Sequence, residues 1–177
     1  KNNLQLQLME KLQEIDKRYQ CVITWNTAIR HTYKEQELFG KEEKMYTFDS
    51  RVRYSEIDHR ATMTLPALIN YFQDCSTFQS EAIGEGVAEL KKRGCAWVLS
   101  AWQIHVRRYP SLGEAVKITT WASGFKGFLG MRNFTMETED DEMLACANSI
   151  WSYVNMETGH PVRAPKETTD AYGIDDP

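Results

Sequence analysis

The chain has 177 residues, 42% of them hydrophobic, so it is long enough to bury one substantial core. Its formal net charge of −4 argues against a general nucleic-acid-binding face, and no apolar run of about eighteen residues predicts a membrane helix. Composition alone therefore indicates one compact domain, or one domain with an additional arm.

Residues 1–44 predict an amino-terminal helical arm or extension. Positions spaced alternately by four and three form a heptad-like seam: Leu8, Leu12, Ile15, Tyr19, Val22, Asn26, Ile29 and Tyr33. The helix prediction weakens beyond Gln20, because residues 21–27 contain a β-branched cluster that favours a strand. We expect this arm to pack on its own domain or on a partner subunit, or to be a disordered tail.

Residues 45–58 predict a half-buried strand that runs into a polar turn, because apolar and polar side chains alternate from Tyr46 to Tyr54. The next segment predicts a long helix, since its apolar residues follow the three-and-four spacing of one helical face. Thr64 is the expected N-cap, Pro66 suits the first turn, and Gly84 is the expected stop.

A short helix or turn is expected next, over residues 86–93, and four strands follow it. The strands are predicted over residues 95–109, 114–125, 128–139 and 143–156, and His105 is expected to share a strand face with Trp97, Leu99 and Gln103. Strands of this length joined by short turns favour antiparallel neighbours. The sequence contains no glycine-rich phosphate loop. The order of elements predicts one helix wrapped by an antiparallel sheet.

The four cysteines, Cys21, Cys75, Cys95 and Cys146, have no Cys-x-x-Cys spacing, so they are expected to be reduced, buried thiols. That favours a cytoplasmic protein, although a mature plastid protein would look the same. His31 and His160 are too isolated to form a metal site, and no cofactor is expected.

Several segments resemble, in order, the amino-terminal hotdog domain of acyl-ACP thioesterases. They are Tyr54-Ser-Glu-Ile-Asp58, residues 65–74, residues 97–110, residues 113–123 and residues 149–156. The resemblance covers residues 45–165 and implies an α+β hotdog fold, a curved antiparallel sheet around a long central helix. Residues 166–177 are then a carboxy-terminal tail or the start of a linker to a second domain.

The resemblance implies hydrolysis of fatty acyl thioesters of acyl carrier protein to free fatty acid. Such an enzyme needs an apolar slot, and many of the apolar residues that form it would also serve as ordinary core. The expected substrate-binding residues are Leu68, Phe72, Trp97, Leu99, Trp102 and Trp121, and Trp151 is a further slot candidate.

The catalytic Asp-x-Asn-x-His segment of these thioesterases is missing from this sequence. The chain is therefore expected to be a piece of a two-hotdog protein, or a single-domain relative that works as a homodimer. In the second case the catalytic candidates are Asp58, as the carboxylate, and the adjacent His59, as acid or base. A structural role for Asp58 near the helix start is an equal alternative. Glu56 and Glu81 are weaker carboxylate candidates.

Acyl carrier protein is acidic, so basic residues are the expected docking candidates: Lys91, Lys92, Arg93, Arg107 and Arg108. An ordinary solvated surface is the alternative. Two other functions also stay open at this point. One is a non-catalytic acyl-binding or dimerisation module, and the other is a single-domain acyl-CoA thioesterase.

Overall fold

The computed structural model of the chain describes residues 45–173. Its elements in chain order are β1 (Tyr46–Arg51), a 3₁₀ turn (Tyr54–Glu56), α1 (Leu65–Ala82), α2 (Val87–Lys92), β2 (Cys95–Val106), β3 (Ala115–Lys126), β4 (Leu129–Glu137), β5 (Met143–Asn155) and α3 (Lys166–Ala171). The expected arm lies outside the described residues, and so do Cys21 and His31. No helix among the described residues is long and apolar enough to cross a membrane.

The five strands form one antiparallel sheet in the order β1-β3-β4-β5-β2. Helix α1 packs on one face of this sheet through a stripe that includes Leu68 and Phe72, both 0% exposed. Ile118, Phe134 and Met136 of the central strands complete the buried core against it. The α+β hotdog architecture expected from the sequence is confirmed.

Both ends of α1 follow the sequence signals. The Thr64 hydroxyl accepts a hydrogen bond from the Ala67 amide at 3.3 Å, and Pro66 occupies the first turn. The helix ends at Ala82, and Gly84 adopts a φ of 80°, a left-handed conformation that glycine takes without a Cβ penalty. The predicted cap and stop are confirmed.

Strand β1 is shorter than predicted. It ends at Arg51, and Tyr54, expected on a half-buried strand, is 82% exposed on the 3₁₀ turn. The Glu56 carboxylate accepts hydrogen bonds from the Arg53 amide and the Tyr71 hydroxyl, each at 2.8 Å. These two hydrogen bonds, one local and one from α1, hold the chain in the 3₁₀ turn, so strand alternation stops at Arg53.

A bulge interrupts strand β2. The register with β5 shifts between Leu99 and Ala101, which reverses the sheet face for the residues that follow. Trp102 therefore shares a face with Leu99 and packs on the core. The prediction that His105 lies on the same face as Trp97 and Leu99 is wrong, because it assumed an unbroken strand. A similar register shift lies in β3 between Ala122 and Gly124.

Part of the segment expected as a tail is a short packed helix. In α3, Thr168 and Thr169 are buried. Just after it, the Tyr172 ring lies 5.7 Å from the Phe125 ring. These residues cover one end of the sheet next to a cavity.

Candidate binding cavity

A cavity of about 430 Å³ lies between the second half of α1, helix α2 and one end of the sheet. Trp97, Phe125, Met131 and Trp151 supply much of its apolar lining. On the helical side it is lined by the polar stripe that begins at Gln73 of α1 and includes Ser76, Thr77 and Ser80. The cavity thus has an apolar sheet wall and a more polar helix wall.

The aromatic wall depends on a glycine. The Trp97 ring lies 4.9 Å from the Tyr153 ring and 5.8 Å from the Phe125 ring. A Cβ added at Gly130 would be 3.1 Å from Cζ3 of Trp97 and 3.2 Å from Cε1 of Phe125. The missing side chain at Gly130 therefore lets both rings lie against β4.

One carboxylate of the cavity lining is already paired. Glu85 is 5% exposed, and Arg93 donates to both of its oxygens, at 2.8 and 3.0 Å. The Thr168 hydroxyl donates to the same carboxylate at 3.0 Å. Hydrogen bonding to Glu85 raises the pKa of the Arg93 guanidinium. The bidentate pair joins the two segments that flank α2, and the Thr168 hydrogen bond joins them to α3.

A buried guanidinium also lines the cavity. Arg132 of β4 is 8% exposed, and its Nη1 donates to the side-chain oxygen of Gln79 and to the Thr120 hydroxyl at 3.2 Å. Its Cζ lies 5.2 Å from the centre of the Tyr172 ring. Burial lowers the pKa of this guanidinium. Sequence reasoning missed Arg132, because a single arginine in a strand has no distinguishing pattern.

The two catalytic candidates lie away from the cavity. Oδ1 of Asp58 accepts hydrogen bonds from the Arg60 amide at 2.9 Å and the Thr62 amide at 3.2 Å, and both candidates are exposed. The hydrogen bond from the Arg60 amide is the main reason that the pKa of the Asp58 carboxyl lies below its ordinary value. The start of α1, near this turn, is about 12 Å along the helix axis from Gln73, at a rise of about 1.5 Å per residue. His59 follows Asp58 in the same turn.

The two weaker carboxylate candidates, Glu56 and Glu81, and the buried thiol of Cys75 have structural partners. The Glu56 carboxylate bonds to Arg53 and Tyr71, as described above. Glu81 accepts a hydrogen bond from the Val87 amide at 2.9 Å and so holds the start of α2. The Cys75 thiol lies 3.7 and 3.6 Å from two backbone carbonyl oxygens, and burial raises its pKa to about 12. A thiol with that pKa is protonated at neutral pH and is a poor nucleophile.

The structure separates the seven expected slot residues. Among the described residues that line the cavity, Trp97 and Trp151 were expected. Leu68 and Phe72 belong to the closed core, and Trp102 packs 4.9 Å from the Phe134 ring. Leu99 is half-buried and is not part of the cavity lining. Trp121 follows Thr120 in β3 and therefore lies on the sheet face turned away from α1.

The five expected docking residues form two groups at opposite ends of β2. Lys91 to Arg93 precede the strand, whereas Arg107 and Arg108 follow its twelve residues, a span of about 40 Å at about 3.3 Å per residue. Lys92 and Arg93 pair with Glu89, and Arg108 pairs with two glutamates. Lys91 is exposed and also lines the cavity. It is therefore the basic residue that combines free charge with a place at the cavity mouth.

Residues 43–172 match the family described as the acyl-ACP thioesterase N-terminal domain. The chain belongs to the acyl-ACP thioesterase family. It is 32% identical over 124 residues to acyl-[acyl-carrier-protein] hydrolase FATB3, chloroplastic, of Cuphea viscosissima, an alignment that covers 66% of this chain and 30% of that protein. It is 31% identical, over the same shares, to palmitoyl-acyl carrier protein thioesterase, chloroplastic, of Gossypium hirsutum. The chain thus spans about 30% of the length of these curated relatives.

Solved structures agree with the family assignment. A putative oleoyl thioesterase from Lactobacillus plantarum is 27% identical with a TM-score of 0.72, over 74% of this chain and 51% of that one. An acyl-ACP thioesterase from Bacteroides thetaiotaomicron is 26% identical with a TM-score of 0.70, over 78% of this chain and 57% of that one. The similarity to 12:0-ACP thioesterase from Umbellularia californica, at 22% identity and a TM-score of 0.66 over 78% of this chain and 57% of that one, shows the shared fold.

Proposed function

We propose that this chain is the acyl-holding hotdog unit of an acyl-ACP thioesterase, which hydrolyses fatty acyl thioesters of acyl carrier protein to free fatty acids. The observation that carries the proposal is the cavity walled by Trp97, Phe125 and Trp151. Its volume of about 430 Å³ is within the usual range for small-molecule sites. Family membership supports a fatty acyl chain as the ligand, and burial of each methylene contributes about 0.8 kcal/mol.

The hydrolytic groups belong, in this proposal, to a second hotdog unit. Thioester hydrolysis needs a carboxylate that activates water and donors that hold the oxyanion. Near the cavity, Glu85 is tied to Arg93. Asp58 is held in a turn near the other end of α1. A second unit, from the same longer protein or from a second copy, would complete the site.

Strand β2 is the proposed pairing edge for that unit. Among the described strands it pairs with β5 alone, so this twelve-residue strand is an edge of the described sheet, and an edge strand can pair with another sheet. Val98 on this strand is 46% exposed. Pairing of two sheets through β2 would remove this edge from solvent and bring the second unit beside Trp97.

Acyl carrier protein is the proposed partner, and Lys91 is the proposed central docking contact. An acidic carrier is attracted to a cation that has no ion pair among the described residues and that lies where the acyl chain enters. Cys75, Cys95 and Cys146 form no disulfide within the described part, which supports a reducing compartment. The cytoplasm and the plastid stroma both fit that proposal.

The test combines turnover with binding. With the second hotdog unit supplied, we expect Asp58→Asn to cleave acyl-ACP at the same rate as the parent chain, and Trp97→Ala to weaken binding of a non-hydrolysable acyl-ACP analogue. Phe128→Ala is the control, because Phe128 is 42% exposed and lies outside the cavity lining. Loss of turnover in Asp58→Asn would show that Asp58 is a catalytic carboxylate. Unchanged binding in a folded Trp97→Ala variant would show that the acyl chain does not bind in this cavity.

A second candidate function is a non-catalytic acyl-binding module. The absence of an uncommitted carboxylate from the described cavity lining favours it. Tight binding of the acyl-ACP analogue, with no cleavage of acyl-ACP even when the second hotdog unit is supplied, would support this candidate over the hydrolase.

A further inference from the structure

Arg132 is a buried cation whose described partners are uncharged. Its hydrogen bonds from Nη1 go to a glutamine amide oxygen and a threonine hydroxyl, and its Cζ faces an aromatic ring. Burial of a charge is costly unless an opposite charge compensates it. No ion pair is formed between Arg132 and any carboxylate in residues 45–173. The guanidinium is thus held in place without a counter-ion.

Glu85 does not serve as that counter-ion. It is the acidic residue of the cavity lining, but Arg93 takes both of its oxygens and Thr168 donates to one of them. A carboxylate engaged in this way has little remaining capacity for a second guanidinium. The positive charge on Arg132 is therefore left for an anion from outside the described residues.

Trp97, on the aromatic wall of the cavity, also carries an unused hydrogen-bond donor. Nε1 of Trp97 is buried and has no hydrogen-bond partner within the described part of the chain. The Gln79 and Thr120 side chains both accept from Nη1 of Arg132, and Tyr172 also hydrogen-bonds to this guanidinium. A guanidinium has five N–H donors, which is more than these three partners use. A ligand that combines an anionic head with an apolar chain matches both features of this cavity.

We propose that the cavity binds a free fatty acid, with its carboxylate on the Arg132 guanidinium and its hydrocarbon chain along the wall of Trp97, Phe125 and Trp151. This inference rests on the proposed function in one respect, that a fatty chain occupies the cavity. It adds that the carboxylate itself is recognised. The acid released by hydrolysis would then compete with the next acyl chain for the same cavity.

The experiment measures the affinity of the chain for three ligands of equal chain length by isothermal titration below their micellar concentrations. The ligands are dodecanoate, methyl dodecanoate and 1-dodecanol. Charge-assisted hydrogen bonds are about twice as strong as neutral ones, so we expect dodecanoate to bind on the order of tenfold more tightly than the two neutral ligands.

Variants locate the carboxylate. Arg132→Met should bind all three ligands with similar affinity, and Arg132→Lys should recover part of the preference for dodecanoate because it keeps the charge. Arg107→Met is the matched control, since Arg107 is exposed and follows the far end of β2, and it should keep the full preference. If Arg132→Met does not fold, the three-ligand comparison on the parent chain still decides the question.

Two results would overturn the inference, and they differ in what else they affect. Equal affinity of the parent chain for dodecanoate and 1-dodecanol would show that Arg132 only joins β4 to α1, while acyl binding in the cavity would stand. A preference that persists in folded Arg132→Met would place the carboxylate elsewhere. Binding of none of the three ligands would refute the acyl cavity itself, and with it the proposed function.

Discussion

A methyl group at Gly130 should shorten the acyl chain that the cavity accepts. In Gly130→Ala the new Cβ would be 3.1 Å from Trp97 and 3.2 Å from Phe125, closer than most Cβ contacts in proteins. Both neighbours are rings rather than flexible chain ends, so at least one ring must move by a few tenths of an ångström. The Trp97 ring borders the cavity, so it can move into that space.

The expected magnitudes are small but measurable. Overpacking of a closed core costs about 1–3 kcal/mol, and alanine is favoured over glycine in a strand by about 0.5–1 kcal/mol. Because Trp97 can relax into the cavity, we expect a net loss of about 1 kcal/mol in the free energy of unfolding, or about 2–4 °C in Tm for a chain of this size. Loss of room for one methylene removes about 0.8 kcal/mol from binding, about fourfold in affinity, for the longest chain that fits.

The assay is a series of saturated fatty acids of increasing length, titrated into the parent chain and the variant. Affinity should fall about fourfold for the longest ligands and stay nearly unchanged for short ones. Phe128→Ala is again the control, because Phe128 is exposed and lies outside the cavity lining. An identical length profile in folded Gly130→Ala and in the parent chain would refute the reasoning. The acyl chain would then bind outside the space next to Trp97.

Three further outcomes follow from the same contacts. Iodoacetamide should label Cys95, which is half-buried and lines the cavity, well before Cys75, whose burial raises its thiol pKa to about 12; faster labelling of Cys75 in the native protein would contradict its assigned environment. Lys91→Glu should weaken binding of acyl carrier protein at low salt by about threefold or more, the loss shrinking as salt is added, while Arg107→Glu should have little effect; the reverse order would move the dock to the far end of β2. Since backbone hydrogen bonds lower the pKa of the folded Asp58 carboxyl, its stabilisation is present above the ordinary aspartate pKa and is lost as pH falls through the lowered value. Urea denaturation at neutral and acidic pH should therefore show that acid lowers the free energy of unfolding less in Asp58→Asn than in the parent chain. Equal losses in the two proteins would show that the Asp58 carboxylate does not contribute to stability.

Much of the fold could be predicted from local pattern. The cap at Thr64, the stop at Gly84 and the four strands after α1 all follow from residue types whose effect is local. The early end of β1 could not be predicted, because it depends on a hydrogen bond from Tyr71 to Glu56, fifteen residues apart in sequence. The strand pattern alone suggested that alternation would continue.

The cavity was less predictable than the fold. A bulge between Leu99 and Ala101 is set by the curvature of the sheet, and it decides which side chains face α1. Composition cannot separate an aromatic residue in a closed core, such as Trp102, from one on a cavity wall, such as Trp97. Arg132 acquires its significance only from the uncharged groups that surround it after folding.

The most direct test of the account is to locate the acyl chain by photo-crosslinking. An acyl-ACP whose chain carries a diazirine near its methyl end would be bound, irradiated, digested and mapped by mass spectrometry. The account predicts labels on the peptides around Trp97, Gly130 to Arg132, and Trp151, with loss of label when excess dodecanoate is added. Labels confined to the turn around Asp58, or to the sheet face that carries Trp121, would contradict it.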